Sequence, residues 1–213
     1  MDQLVDTVER IRAALEAKNA ARDIAYNGSR QLTRCCAKAV TAAHRADWSQ
    51  VHSLLAEART VAGELVRNLE EYLDLYYAGY TQDALKEWVE AECMCALVAD
   101  EPLPSPGQLK VEEATYLNGL AEAASEMRRY VLDLIRQDGL GRAEQVLQAM
   151  DEIYSLLMTI DFPDAITGGL RHRSDALRGV LERTRGDLTT ALRQERLRQA
   201  LAEFEATIGK DQR

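Results

Sequence analysis

The feature that most limits how this chain can fold is its first segment, residues 3–44, which contains no proline and a single glycine. Apolar side chains recur through this segment at helical spacing, at Leu4, Val8, Ile11, Leu15, Ile24 and Leu32. The pattern predicts one long helix. The rest of the chain is also poor in proline and rich in Ala, Leu, Glu and Arg, which lose little side-chain freedom in a helix. We therefore expect an all-α fold.

The same periodicity predicts five further helices, at about 49–77, 81–99, 111–137, 142–160 and 170–208. Gly79 is expected to end the second helix and Thr81 to cap the third. The segments EPLPSPGQ, DGLG and DFPDAITGG are expected to be loops. No repeat or change in composition divides the chain, so we expect a single domain over residues 1–213. The end helices exceed what a compact core requires, which suggests that an oligomer buries part of them.

Composition excludes several classes of protein. Of the 213 residues, 46% are apolar, which is enough for a core, and the formal charge of −9 argues against a surface that coats polyanions. The chain begins without a basic stretch and an apolar segment, so we expect no signal peptide. The longest apolar run, residues 93–99, is too short to span a membrane, and a cytoplasmic location is expected. The cysteines, at positions 35, 36, 93 and 95, lack zinc-site spacing and are expected to be reduced thiols.

Two carboxylates interrupt an apolar pattern in the segment LKEWVEAECMCALVA, residues 85–99. On a helix, Glu87 and Glu90 lie on one stripe with Ala91 and Met94, which is otherwise typical of a buried face. A second pair, Glu122 and Glu126, has i,i+4 spacing in TYLNGLAEAASEMRR, among small residues that would let another helix approach. Four such acids on neighbouring helices could bind Mg²⁺ or Mn²⁺, because these ions prefer oxygen ligands.

The spacing of these acids is also compatible with an ordinary solvated surface. A chain with 35 acidic residues produces i,i+3 and i,i+4 pairs by chance, and glutamate is common on solvated helices. A ferritin-like di-iron site is excluded, because none of the three histidines has a glutamate three residues before it. The sequence also offers no glycine-rich phosphate loop and no local Ser/His/Asp or Cys/His arrangement.

Four segments resemble the translin/Trax family, one of them more weakly than the others. ALKEWVEA, residues 84–91, resembles the Trax motif Q/K-E-Y/W-V-E-A, and TYLNGLAEAASEMRR resembles its second motif, D-Y-L-x-G-V-A-D-x-x-x-E-L-x-R. ARDIAYNGSRQLTR is similar to a segment of the first Trax helix, and HRSDALRGVLERTRGDL matches more weakly. The matches span most of the chain in the right order. The resemblance implies a translin-like bundle of about seven helices with long first and last helices. It also implies that the chain is a prokaryotic homologue of the family.

The acidic residues indicate which branch of the family the chain resembles. Translin-type subunits have apolar residues where Trax has the acids of its first motif, whereas this chain keeps Glu87 and Glu90. Glu126 matches the acid of E-L-x-R, and Glu122 stands in place of an aspartate. The additional methylene of Glu122 shifts its carboxylate by about 1.5 Å and could change the metal spacing. The resemblance is to the catalytic, Trax-like branch.

The resemblance implies an endoribonuclease that depends on Mg²⁺ or Mn²⁺ and cleaves single-stranded RNA inside a hollow oligomer. Its catalytic and metal-binding residues would be Glu87, Glu90, Glu122 and Glu126. The expected assembly is a homo-octamer or a hetero-oligomer with a translin-like subunit, with no membrane association. Whether the protein also binds single-stranded DNA is left open by the sequence.

Basic residues should line the approach of the RNA. Arg22, Arg30 and Arg34 lie along one side of the first helix, and Arg129 lies one turn beyond Glu126. Two alternatives remain: a non-catalytic, translin-like protein that binds single-stranded RNA or DNA, and a helical assembly protein in which the glutamates have no special role. A pure binder gains nothing from acids that face RNA, so the acids favour the nuclease.

Overall fold

The structure is a computed structural model that describes residues 1–211, with side chains described through residue 207. The fold is all-α, as predicted. The described range contains nine helices: α1 (Asp2–His44), α2 (Trp48–Asn68), α3 (Leu73–Tyr76), α4 (Gly79–Ala99), α5 (Pro106–Leu109), α6 (Glu113–Arg136), α7 (Leu140–Leu157), α8 (Asp164–Thr167) and α9 (Leu170–Asp211). Six are long, and α3, α5 and α8 are single turns of four residues. The long first and last helices agree with the sequence prediction.

Polar side chains and left-handed residues set several helix ends. The Asp47 carboxylate caps α2 by accepting a hydrogen bond from the Gln50 backbone N–H at 3.1 Å. Asp100 ends α4 in the left-handed conformation, with φ of 62°. Ser105 and Gln108 form a reciprocal capping box around α5. Local sequence chemistry therefore accounts for the start of α2, the end of α4 and the existence of α5.

The prediction for the segment between α2 and α4 was wrong at three points. The second helix ends at Asn68 and not near residue 77, and α3 follows it separately. Gly79 is the first residue of α4 and does not end a helix. Thr81 lies inside α4, where its buried hydroxyl donates to the Leu75 carbonyl at 2.8 Å instead of capping the helix. This hydrogen bond ties α4 to the turn before it.

Two segments predicted as loops each contain one helical turn. EPLPSPGQ includes the start of α5, and DFPDAITGG includes α8. Gly168 and Gly169 follow α8 with φ of 60° and 85°, values that a glycine adopts without strain. They turn the chain into α9, so the first turn of α9 lies beside α6.

The core lies around the pair formed by α4 and α6. α1 packs between α2 and α4, while α6 packs against α4 on one side and against α7 and α9 on the other. The largest fully buried side chains include Trp88, Met94, Met127 and Met150. All four cysteines are buried and unpaired, as expected for small apolar residues. The two central helices, α4 and α6, therefore carry the acids predicted for a metal site, away from the solvent-facing ends of the bundle.

Gly119 permits the close approach of α4 and α6. A Cβ at this position would lie 2.6 Å from Cβ of Val89 and 2.8 Å from the Lys86 carbonyl oxygen. Contacts this short do not occur between real side chains, so only glycine fits. The small residue places α6 directly against the turn of α4 that carries Lys86, Glu87 and Glu90.

Both end helices extend beyond the core. The first buried residue of α1 is Ala25, and the last buried residue of α9 within the described side chains is Leu188. Their outer parts expose large apolar side chains, among them Leu4, Val8, Ile11, Leu15, Leu197, Leu201 and Phe204. Among the described helices, none is long and apolar enough to cross a bilayer. The exposed apolar residues therefore mark surfaces that are available to another protein.

Candidate metal centre

Three of the four predicted acids meet between α4 and α6. Glu87, Glu90 and Glu122 each direct one carboxylate oxygen into a group whose atoms lie within 4.8 Å of one another. We call these three residues the acid cluster. The Glu87 side chain is 35% exposed and that of Glu122 is 29% exposed, so the cluster is partly open to solvent. Three oxygen ligands at this spacing could hold one divalent cation.

The acid cluster occupies a stripe that is otherwise buried. Ala91 and Met94, on the same side of α4, are fully buried. Glu87 and Glu90 remain partly accessible because the facing turn of α6 presents Gly119 and Glu122, not a bulky apolar side chain. The close approach of the helices therefore creates a polar site at the margin of the core.

Two cations from different helices hold the Glu122 carboxylate. Lys86 Nζ forms an ion pair with Glu122 Oε2 and lies 3.5 Å from Glu87 Oε1. Arg173 Nε, in the first turn of α9, donates to Glu122 Oε1 at 2.8 Å. Both cationic side chains are largely shielded, with 12% and 26% exposure. Glu122 is thus oriented by charge-assisted hydrogen bonds to both of its oxygens.

Arg173 is itself fixed by two further contacts. Its Nη1 donates to Asn118 Oδ1 and to the Gly168 carbonyl, each at 3.1 Å. Asn118 is buried and donates to the carbonyls of Ala114 and Thr167, each at 2.7 Å. This network joins α6, α8 and α9, so the turn at Gly168 determines where the guanidinium lies.

The pKa values of Glu90 and Glu122 in the acid cluster are shifted in opposite directions. Burial raises the pKa of Glu90 to about 8, and the carboxylates of Glu87 and Glu122 add to this rise. Burial alone would also raise the pKa of Glu122, but hydrogen bonds from Lys86 and Arg173 outweigh it and lower that pKa. For Lys86, burial opposes the charged form, yet the bond to Glu122 raises the pKa. Near neutral pH, without a metal ion, Glu122 is charged and Glu90 holds a proton.

The fourth predicted acid lies outside the acid cluster. Glu126 Oε1 is 2.9 Å from Nε2 of His44, the last residue of α1, and the histidine side chain is almost completely buried. The other ring nitrogen, Nδ1, is buried without a hydrogen-bond partner among the described residues. Glu126 is near enough to contribute to the raised pKa of Glu90. Its assignment as a metal ligand stays a prediction.

The four predicted RNA-binding arginines are exposed, on two helices. Arg22 and Arg30 flank the ring of Tyr26 on α1, each with its guanidinium carbon 5.9 Å from the ring centroid. Arg22 also pairs with the neighbouring Asp23 at 2.9 Å. Arg34 lies one turn beyond Arg30, and Arg129 lies on α6. The structure thus brings three of the arginines together and places the fourth elsewhere.

Sequence reasoning did not identify Lys86, Arg173 and His44 as part of the site. Lys86 directly precedes Glu87 in ALKEWVEA, and Arg173 lies in the weakly matched segment HRSDALRGVLERTRGDL. Lys86 and Arg173 could have been identified because each lies inside a segment that resembles the family. His44 carried no such signal, because its contact with Glu126 spans 82 residues.

Comparisons with known proteins identify relatives over most of the chain. No protein-family profile matches it. An uncharacterized protein of Methanocaldococcus jannaschii is 28% identical over 202 residues, covering 92% of this chain and 88% of that protein. The crystal structure of apo-NeC3PO superposes with a TM-score of 0.78 at 18% identity, covering 88% of this chain and 96% of that chain. That likeness concerns the fold alone.

Two structures of AfC3PO are more similar in sequence. The crystal structure of AfC3PO is 30% identical, with a TM-score of 0.81, and the structure of an AfC3PO–duplex RNA complex is 31% identical, with a TM-score of 0.71. Each alignment covers 87% of this chain and 96% of the AfC3PO chain. C3PO proteins are of the translin/Trax type. The chain therefore belongs to the translin/Trax family.

Proposed function

We propose that this protein is an endoribonuclease that depends on Mg²⁺ or Mn²⁺ and cleaves single-stranded RNA within a closed oligomer. The observation that carries the proposal is the acid cluster, in which oxygens of Glu87, Glu90 and Glu122 lie within 4.8 Å of one another. Glu126 would complete the ligand set by turning from His44. The family relationship supports an RNA-processing role for such a site.

The residues present fit a hard divalent cation. All three cluster ligands are carboxylate oxygens, the donor type that Mg²⁺ and Mn²⁺ prefer. Burial and the neighbouring carboxylates raise the pKa of Glu90 to about 8, so a bound divalent cation would favour the state in which all three carboxylates are ionised. Glutamate in place of aspartate at position 122 is accommodated, because Lys86 and Arg173 bring its carboxylate to the other two.

The reaction is hydrolysis of a phosphodiester. When bound, the divalent ion would supply a Lewis acid that activates water and neutralises charge on the scissile phosphate. Glu87, Glu90 and Glu122 would hold the ion, and Glu90 would release its proton as it binds. The packing of α4 against α6 keeps these carboxylates on rigid elements, which would hold the ion in one position relative to the scissile phosphate.

RNA binding is supported by a relative and by the arginines. A structure of the related AfC3PO in complex with duplex RNA is known. In this chain, Arg22, Arg30 and Arg34 form an exposed basic stripe on α1, and Arg129 adds a cation near Glu126. Because the net charge is −9, these local cations would have to attract the phosphate backbone.

The assembly is proposed to be an octamer of this chain or a mixed oligomer with a translin-like subunit. The apolar side chains on the outer parts of α1 and α9 support burial by other subunits. A cytoplasmic location and a single domain over residues 1–213 stay predictions.

Glu90→Gln tests the proposal. Glutamine keeps the shape of the protonated side chain, so the fold should persist, but it cannot supply the charge that binds the cation. Cleavage of a labelled single-stranded oligoribonucleotide should fall about 100-fold or more, while binding remains. Glu64→Gln, at an exposed position on α2, is the matched control and should behave like the parent protein.

Metal dependence is the second part of this test. EDTA should abolish cleavage by the parent protein, and added Mg²⁺ or Mn²⁺ should restore it. Full EDTA-sensitive activity in Glu90→Gln would place the nuclease elsewhere. If purified parent protein cleaves no RNA with either ion, the alternative of a non-catalytic binder of single-stranded RNA or DNA becomes the better account, and the basic stripe on α1 is the observation that favours it.

A further inference from the structure

Lys86 and Arg173 each have an N–H donor that no described residue accepts. Among the described residues, Arg173 Nη2 donates to none, although Nε and Nη1 are fully engaged. Lys86 Nζ has three N–H donors and two carboxylate partners, Glu87 and Glu122. Both cations therefore hold Glu122 and still present N–H groups that another anion could accept.

A cleft of about 500 Å³ opens beside these two residues. Its walls include Lys86 and Arg173, together with three acidic residues, Asp83, Glu112 and Glu113. The volume lies within the range of about 300–1,000 Å³ that is typical of small-ligand sites. The two cations thus stand at the boundary between the acid cluster and a cleft large enough for one nucleotide.

The charge balance shows what the two cations add. Three ionised carboxylates and one divalent ion carry a net charge of one negative unit, which would repel a phosphate. Lys86 and Arg173 change this to one positive unit, or, when Glu126 also turns to the ion, bring the sum of the charges to zero. The two cations therefore offset the repulsion that the carboxylates alone would exert on an RNA phosphate.

We propose that Lys86 and Arg173 form a phosphate-binding site on the wall of this cleft, where they bind non-bridging oxygens of the RNA backbone next to the acid cluster. The inference rests on the proposed nuclease function and extends it to residues with no assigned role. Arg173 would use Nη2, its neighbouring nitrogens remaining on Glu122, Asn118 and Gly168. The same two side chains would orient a metal ligand and position the substrate.

The test compares Lys86→Gln and Arg173→Gln, each in the Glu90→Gln background so that the RNA probe is not cleaved. The probe is a fluorescent single-stranded oligoribonucleotide, and its affinity is measured by anisotropy in EDTA over a series of salt concentrations. Each variant should bind RNA about tenfold more weakly. The slope of log affinity against log salt should fall by about 0.7 for each lost phosphate contact. Arg178→Gln, an exposed position on α9 that pairs with Glu182, should change neither value.

A second measurement separates phosphate binding from a purely structural role. In the protein with Glu90 intact, the Mn²⁺ affinity of Lys86→Gln reports how far Lys86 orients Glu122, and RNA affinity measured in EDTA should fall whether or not Mn²⁺ affinity changes. Weakened Mn²⁺ binding with unchanged RNA affinity and salt slope would overturn the inference and leave the cations as supports for Glu122. Lys86→Arg keeps the charge and should keep RNA affinity, so loss of affinity in that variant would also contradict it.

The outcomes distinguish this inference from the proposed function. A parent protein that binds neither Mn²⁺ nor RNA refutes the proposed function. A second outcome refutes only the phosphate-binding site. In that outcome the parent protein binds both Mn²⁺ and RNA, and the Lys86→Gln and Arg173→Gln variants bind RNA as tightly as the Glu90→Gln background does. If one of the two variants fails to fold, the other still decides, because the residues lie on different helices.

Discussion

Gly119→Ala should destabilise the protein although alanine is the better helix former. The new Cβ would lie 2.6 Å from Val89 Cβ and 2.8 Å from the Lys86 carbonyl oxygen, about 1 Å inside ordinary contact distance. One of the two atoms belongs to backbone, so α4 and α6 must move apart. Overpacking of this kind costs about 1–3 kcal/mol, and the gain in helix propensity offsets about 1 kcal/mol of it. We expect a net loss of up to about 2 kcal/mol.

Gly186→Ala is the control for this prediction. Gly186 lies in an exposed part of α9, where an added Cβ meets nothing within 4 Å. This substitution should stabilise the protein by about 0.5–1 kcal/mol. The measurement is urea unfolding followed by circular dichroism, at one protein concentration for all three proteins because an oligomer's stability depends on concentration.

The same displacement should be visible at the acid cluster. Separation of α4 from α6 moves Glu122 away from Glu87 and Glu90, so Mn²⁺ affinity of Gly119→Ala should fall, while that of Gly186→Ala should not. A Gly119→Ala variant that is stabilised as much as Gly186→Ala would refute the reasoning, because it would mean that the two helices are not held at the distance described.

Three further predictions concern protons, RNA and assembly. Burial and the neighbouring Glu87 raise the pKa of Glu90 to about 8, whereas in the unfolded chain this carboxyl loses its proton above about pH 4.5. The stability of the metal-free protein should therefore fall as the pH rises from about 4.5 to about 8. Glu90→Gln should remove this loss, and Mn²⁺ titration calorimetry at pH 7 in buffers of different ionisation enthalpy should detect about one released proton. Arg30→Glu should weaken RNA binding and lower the salt slope by about 0.7, whereas an unchanged slope would make Arg30 an ordinary surface residue. Light scattering should report an oligomer at micromolar concentration and a smaller species for Leu15→Glu, and a monomeric parent protein would contradict the assembly.

The helices could be predicted from the sequence, except where the core required a break that no local signal marks. The segment after Asn68 keeps its apolar pattern without proline, and the first glycine is Gly79. Leu69 and Leu75 are nevertheless both buried, and on one continuous helix they would lie about 120° apart. The chain instead leaves the helix and begins α3, which lets both residues reach the core. Only tertiary packing determines this break.

The candidate site was predictable to the extent that its residues share a helix. Glu87 with Glu90, and the small residues around Glu122, follow from i,i+3 and i,i+4 spacing, and the close approach at Gly119 agrees with the expectation for small residues. Contacts between distant segments were not predictable in this way. Arg173 reaches Glu122 across 51 residues, through a turn whose geometry depends on two glycines.

The two longest helices each have one end at the carboxylates and the other outside the bundle. His44, the last residue of α1, contacts Glu126, and Arg173, in the first turn of α9, contacts Glu122. Each helix is about 60 Å long and runs without a break to an exposed apolar tip. Because each helix is continuous, no hinge or loop separates its outer part from its contact with a carboxylate. In the proposed oligomer, the two helices would therefore connect the surfaces where other subunits dock directly to the geometry of the carboxylates.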